Sequence, residues 1–176
     1  SVVLDTWPKM MTLCFPSVTY HIDKTDWYCR LPNGSEVWFG GLDDKDRSEK
    51  ILGMEFSTIY LNECSQIPQS SRDIVITRLA QKADQVIKGQ NAEEMPPRMY
   101  YDCNPPNKNH WSYRTFVKKI DLDTKQTLSN PDDYAHFQIN PTDNAENLSA
   151  GYLDTLRGLG ARLRRRILEG EFNDAT

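Results

Sequence analysis

The sequence predicts an α/β fold, with a largely parallel sheet at its core and a β-hairpin added to it. Three observations predict it. Short apolar runs at 58–61 and 98–103 stop at polar residues, and apolar residues at helical spacing lie between them. Two β-rich runs, 27–31 and 36–39, flank Pro32-Asn33-Gly34-Ser35, and an Asn-Gly pair between such runs makes a tight turn. Leu153, Leu156, Leu159, Leu163 and Ile167 form an apolar seam that makes the end of the chain helical. Strands alternating with helices favour parallel pairing.

Composition narrows the class. At 176 residues the chain is long enough for one domain with a real core, and 38% hydrophobic with 26% charged residues excludes disorder. A formal net charge of −4 excludes a basic nucleic-acid coat. No apolar run approaches the roughly 20 residues of a membrane span. The start, S-V-V-L-D-T-W-P-K-M-M, has neither a signal-peptide pattern nor an initiator Met, so the chain is expected to begin mid-protein. Cys14, Cys29, Cys64 and Cys103 are widely spaced with no C-x-x-C pair, which supports neither a disulfide scaffold nor a zinc site. They are expected to be reduced, buried and intracellular.

In chain order, residues 1–16 read as a helix ended by Pro16, and 17–22 as a strand. The hairpin follows, closed by Gly40 and Gly41. Residues 42–53 are charged and read as a loop with a short helix. Their three aspartates lack the Gly and Glu spacing of a calcium loop. Residues 58–61 predict a strand buried on both faces. Ser70 or Ser71 caps a helix to about Lys88, with Val75, Leu79, Ala83, Val86 and Ile87 on one face. A loop spans 89–97, and 98–103 is a second buried strand ended by Asn104-Pro105-Pro106. Residues 111–119 form a short helix with Trp111 and Phe116 buried, and 135–139 a third strand. Asn147 or Ser149 caps the final helix, and 170–176 begins a linker.

The chemistry centres on the end of the 58–61 strand. A carboxylate placed where a buried strand stops sits at the carboxyl edge of a sheet, where open α/β folds keep their ligands. Hydrolysing a nucleotide needs Mg²⁺, a phosphate cradle and a group that orients water. I-Y-L-N-E has the order of a Walker B element, with Asn62 where an acid usually stands and Glu63 as the water-orienting carboxylate. The same pentapeptide also suits a strand-end Glu without chemistry. The cradle G-x-x-x-x-G-K-[ST] is absent, and the chain contains no Gly-Lys pair.

Five motifs occur in one order. They are L-P-N-G-S-E-V-W-F-G-G-L-D-D, I-L-G-M-E-F-S-T-I-Y-L-N-E-C, Y-D-C-N-P-P-N-K-N-H-W, I-N-P-T-D-N-A-E-N-L-S and R-R-R-I-L-E-G-E-F. Together, across residues 30–172, they resemble the second half of the ATPase domain of tailed-phage terminase large subunits. The resemblance implies a P-loop NTPase core, RecA-like and of the additional-strand, catalytic-Glu type, truncated at its N-terminus. Residues 1–140 would be a partial ATPase core without the Walker A loop. Residues 141–176 would be a helical linker region leading toward a nuclease domain outside the chain. The chain would then be a fragment, nearly inactive alone, of a motor that hydrolyses ATP to drive viral DNA into a procapsid.

Carried over residue by residue, the resemblance makes Glu63 the catalytic carboxylate. Asn62 takes the position that helps hold hydrated Mg²⁺, its carbonyl accepting from a coordinated water. Asn104 takes the coupling position that senses the γ-phosphate, a role compatible with shaping the turn before Pro105. ATP and Mg²⁺ are the implied ligands. Double-stranded viral DNA, the portal protein and the small terminase subunit are the implied partners, with a homo-oligomeric ring and no membrane. The implied setting is the cytoplasm of an infected bacterium, with transient docking on the procapsid.

Arg47, in the loop before the catalytic strand, is a candidate arginine finger acting on a neighbouring subunit, against the commoner reading of a surface arginine. Arg72 and Arg78 carry the same two readings. Cys103 with His110 suggests a thiol catalyst, but no orienting partner is evident. Arg162, Arg164, Arg165 and Arg166 suit DNA phosphates, nuclease-domain docking or a solvated helix face, the last being the default. Two other readings stand beside the motor: a non-catalytic DNA- or protein-docking domain of the same fold, and another RecA-like translocase or helicase.

Overall fold

The computed structural model describes residues 2–42, 49 and 51–174. Two compact units make up the chain, Ser1–Ile59 with Ser70–Met99, and Tyr60–Gln69 with Tyr100–Thr176. Arg47 and most of the expected 42–53 loop lie outside the described residues.

The first unit begins with a π-helical turn, Val2–Thr6, and the helix Trp7–Cys14. Pro8 suits the first helical turn, where a missing N–H costs nothing. Three short strands follow as an antiparallel sheet: β1 (His21–Asp23), β2 (Tyr28–Arg30) and β3 (Glu36–Trp38). Gly34 closes the β2–β3 turn at φ 85°, a conformation that favours glycine. The register aligns Ile22, Cys29 and Val37, and Cys29 is fully buried. Trp7 meets Tyr20 and Phe39 edge-on, with ring centroids 5.9 and 5.6 Å apart.

The helix expected over 70–88 is shorter than its apolar spacing implies. It spans Gln69–Ile76, with Ser70 and Ser71 inside it rather than capping it. Phe56 then draws the chain out of helix: its N–H donates to the Arg78 carbonyl at 2.7 Å, and its carbonyl accepts from Gln81 at 3.1 Å. β5 (Asp84–Gln85) pairs antiparallel with β6 (Glu93–Glu94), and Gly89 lies in the turn at φ 83°. Val86 and Ile87, assigned to a buried helix face, are 75% and 51% exposed.

β4 (Thr58–Leu61) and β7 (Arg98–Tyr101) form a two-stranded sheet. Arg98 N–H donates to Ser57 O and Asp102 N–H to Leu61 O, both at 3.2 Å; the partners advance in step, so the strands are parallel. The burial on both faces expected of β4 fails, and so does the burial expected of β7. Their exposure alternates, and Tyr60 and Tyr100 stand half-exposed.

In the second unit, Trp111 precedes a π-helical stretch, Tyr113–Val117, and is 5% exposed. The Tyr101 ring packs against Trp111 and Phe116, with centroids 5.6 and 5.0 Å away. Residues 135–139 do not form the expected strand, because no described strand pairs with them. Instead the Gln138 amide donates to the Glu169 carbonyl at 2.6 Å, and Phe137 and Ile139 face outward.

The C-terminal seam divides into two helices. Ser149 Oγ accepts from Tyr152 N–H at 3.2 Å and caps Ala150–Arg157. Gly158 and Gly160, poor helix formers, separate it from Ala161–Ile167. Leu153, Leu156 and Leu168 are buried, whereas Leu163 is exposed. The segment expected to begin a linker is held down as far as residue 174: Phe172 packs on Tyr113 at 4.7 Å, and Asp174 pairs with Lys108 at 2.6 Å. No described helix is long and apolar enough to cross a membrane.

Candidate nucleotide site at the ends of two parallel strands

Asn62, Glu63, Asp102, Cys103 and Asn104 follow the two parallel strands directly, all within the second unit. In a regular parallel ladder the Asp102 carbonyl would accept from Glu63 N–H, because its amide already donates to Leu61 O. It accepts instead from Cys64 N–H, at 2.8 Å. Glu63 is therefore an extra residue in the ladder, a β-bulge. Its backbone is left-handed, φ 52° and ψ 48°, and its freed N–H donates to Asp102 Oδ1 at 2.7 Å. A non-glycine residue in this region is strained, and such strain gathers at functional sites.

The bulge turns the Glu63 side chain into solvent, where its carboxylate accepts no hydrogen bond from the described residues. The chain behind it is anchored. Cys64–Gln66 makes a 3₁₀ turn, and Trp111 Nε1 donates to the Ile67 carbonyl at 2.8 Å. Asn104 is exposed at the end of the neighbouring strand, and Arg166 Nε donates to the Pro105 carbonyl at 2.7 Å beside it. One member of the arginine cluster is thus spent on this turn.

The electrostatics of the edge are negative. The Tyr60 hydroxyl donates to Asn62 Oδ1 at 3.3 Å, and its pKa is pushed up to about 12. Burial is the largest cause, followed by the charge of Asp102, a hydrogen bond to Asp102 and the charge of Glu63. Below the edge, Cys64 is pushed up by a hydrogen bond with Cys103 and then by burial, while Cys103 is lowered by the same bond. Burial lowers His110, whose Nδ1 lies 2.8 Å from Ser112 Oγ.

Asn62, Glu63 and Asp102 carry oxygen donors of the kind Mg²⁺ takes, one or two protein carboxylates with water and phosphate oxygens filling the shell. No three His, Cys, Asp or Glu side chains gather into a metal cage among the described residues.

Strand pairing thus puts Asn62, Glu63 and Asn104 at the ends of neighbouring strands. Arg72 is buried in the other unit and pairs with Asp73 at 2.9 Å, and Arg78 donates to the Leu52 carbonyl at 3.0 Å; both arginines have local structural partners. Two of the four cysteines depart from the expected burial: Cys14 is exposed and Cys103 half-buried. The sequence pattern singles out neither Asp102 nor Tyr60. An acid at the carboxyl end of a second parallel strand was the available signal for Asp102.

The family profile described as phage terminase large subunit matches residues 17–161. No curated protein matches the chain significantly. Among solved structures, the large terminase of a thermophilic bacteriophage is similar at TM-score 0.65 and 19% identity, over 94% of this chain and 36% of that one. The same protein in complex with ADP gives TM-score 0.62 at 18% identity, over 97% of this chain and 37% of that one. Its complex with ATP-γ-S gives 0.63 at 17% identity, over 97% and 36%. The chain thus spans about a third of the length of these structures, and at such identity the likeness shows the fold.

Proposed function

Since the chain belongs to the phage terminase large-subunit family, we propose that it is part of a DNA-packaging motor that hydrolyses ATP to ADP and phosphate. The observation that carries this reading is the bulged, left-handed Glu63 at the carboxyl end of a parallel strand, with its N–H fixed by Asp102. A sheet gains nothing from such a residue, whereas a hydrolase needs a carboxylate aimed off its strand ends. In support, the thermophilic-phage terminase of similar fold has been crystallised with ADP and with ATP-γ-S.

Glu63 orients and polarises the attacking water. Asp102 positions it through the backbone, holding the peptide rather than the carboxylate and leaving both carboxylate oxygens for water. Asn104 senses the γ-phosphate from the adjacent strand end. Asn62, Glu63 and Asp102 would hold hydrated Mg²⁺, which when bound offsets the charge of the phosphates. The phosphate cradle is not in this sequence; in this reading a separate phosphate-binding loop completes the site. Arg47 is the candidate finger on a neighbouring subunit.

In this reading residues 1–140 belong to the P-loop ATPase core and residues 141–176 lead toward a nuclease domain. The motor acts on double-stranded viral DNA as a homo-oligomeric ring with the portal protein and small terminase subunit, in the host cytoplasm on the procapsid.

The test joins this chain to a phosphate-binding loop in one polypeptide and replaces Glu63→Gln. Turnover should fall by at least about a hundredfold, with binding of a labelled ATP analogue retained. Retained turnover would remove Glu63 from the reaction. Absent nucleotide binding by the unsubstituted polypeptide would favour a non-catalytic docking domain.

A further inference from the structure

Beyond Glu63 the parallel register is displaced by one residue. An unbroken ladder would set Cys64 beside Asn104; the bulge sets it beside Cys103, because Cys64 N–H bonds to the carbonyl of Asp102, the residue before Cys103. The 2.8 Å bond from Cys64 N–H to the Asp102 carbonyl holds the two backbones side by side, and a disulfide spans about 4.4–6.8 Å between Cα atoms. Both thiols are free. Their accessibility is unequal: Cys64 is 1% exposed, whereas Cys103 is half-buried.

We propose that Cys64 and Cys103 form a redox-active dithiol, which closes to an intramolecular disulfide by exchange with low-molecular-weight disulfides. Cys103, the reachable thiol, attacks as its thiolate on one sulfur of the small disulfide. The S–S bond of that molecule breaks, a mixed disulfide forms on Cys103 and one small thiolate leaves. Cys64 then loses its proton and attacks the Cys103 sulfur, and the second small thiolate leaves. Two protein thiols are oxidised to one disulfide, and one small disulfide is reduced to two thiols. Their protons pass to the two leaving thiolates, so no further oxidant is needed. The link would join the two strand ends immediately below Glu63 and Asn104. It is independent of nucleotide hydrolysis and holds whether or not Glu63 acts on water.

The test uses the reduced 176-residue chain equilibrated with oxidised glutathione, quenched by alkylation and mapped as non-reduced peptides by mass spectrometry. The expected product is a peptide pair joined through Cys64 and Cys103, lighter by two hydrogens. Cys14, which is exposed, carries glutathione and serves as the internal standard of reactivity. Cys64→Ser should stop at glutathione on Cys103, and Cys103→Ser should leave Cys64 reduced. Glutathione persisting on Cys103 in the unsubstituted chain, or both thiols remaining reduced while Cys14 reacts, overturns the proposal. The unsubstituted chain decides the matter even if a variant fails to fold.

Discussion

Glu63 holds a left-handed backbone that a side chain destabilises by about 1 kcal/mol relative to glycine. Glu63→Gly should therefore be more stable than Glu63→Ala by about 1 kcal/mol in denaturant unfolding; equal stabilities would mean that the bulge relaxes. Tyr60 carries the pH dependence of the edge. Its pKa rises from 10.0 to about 12, so the folded chain favours the neutral phenol. That contribution is whole below pH 10 and is lost as pH rises through about 12. A phenolate absorbance titration should show a last component near 12 that Tyr60→Phe lacks. Asn62 and Glu63 were legible because an apolar run stops at them. The part played by Asp102 was not, since it depends on which residue faces it across 39 positions of sequence.

Local signals succeeded where the physics is local. Asn33-Gly34 makes its turn, and Ser149 caps its helix with its own oxygen. Ser149→Ala should cost about 1 kcal/mol, read as a lower midpoint in urea at unchanged slope. Apolar spacing misled where a distant backbone group competed. The 70–88 pattern loses its second half to Phe56, and 135–139 alternates like a strand without a described partner to pair with. Two glycines, weak helix formers that the seam of leucines concealed, divide the last helix.

For the molecule as a whole, buried apolar side chains are few among the described residues. The first unit buries Met11, Cys29 and Val75, and the second Leu61, Cys64, Trp111, Leu153, Leu156 and Leu168. With so few, each carries a large share of stability. Leu156→Ala should cost about 2–5 kcal/mol, enough to bring the thermal midpoint of the chain close to ambient temperature if total stability is at the low end for domains, about 5 kcal/mol. Calorimetry checks it, and a shift of only a few degrees would show that other contacts compensate. The parallel pair and its polar ends were readable from composition and spacing; the thinness of the core was not, because a hydrophobic residue announces its type and not its neighbours. The ladder itself carries one last implication. Leu61 and Cys64 already make the two bonds to Asp102 that an uninterrupted pair of strands would make. Excising Glu63 should consequently leave the sheet's hydrogen bonding whole, which makes a one-residue deletion the gentlest way to silence this edge. It also marks Glu63 as a residue that selection for folding alone would be free to discard.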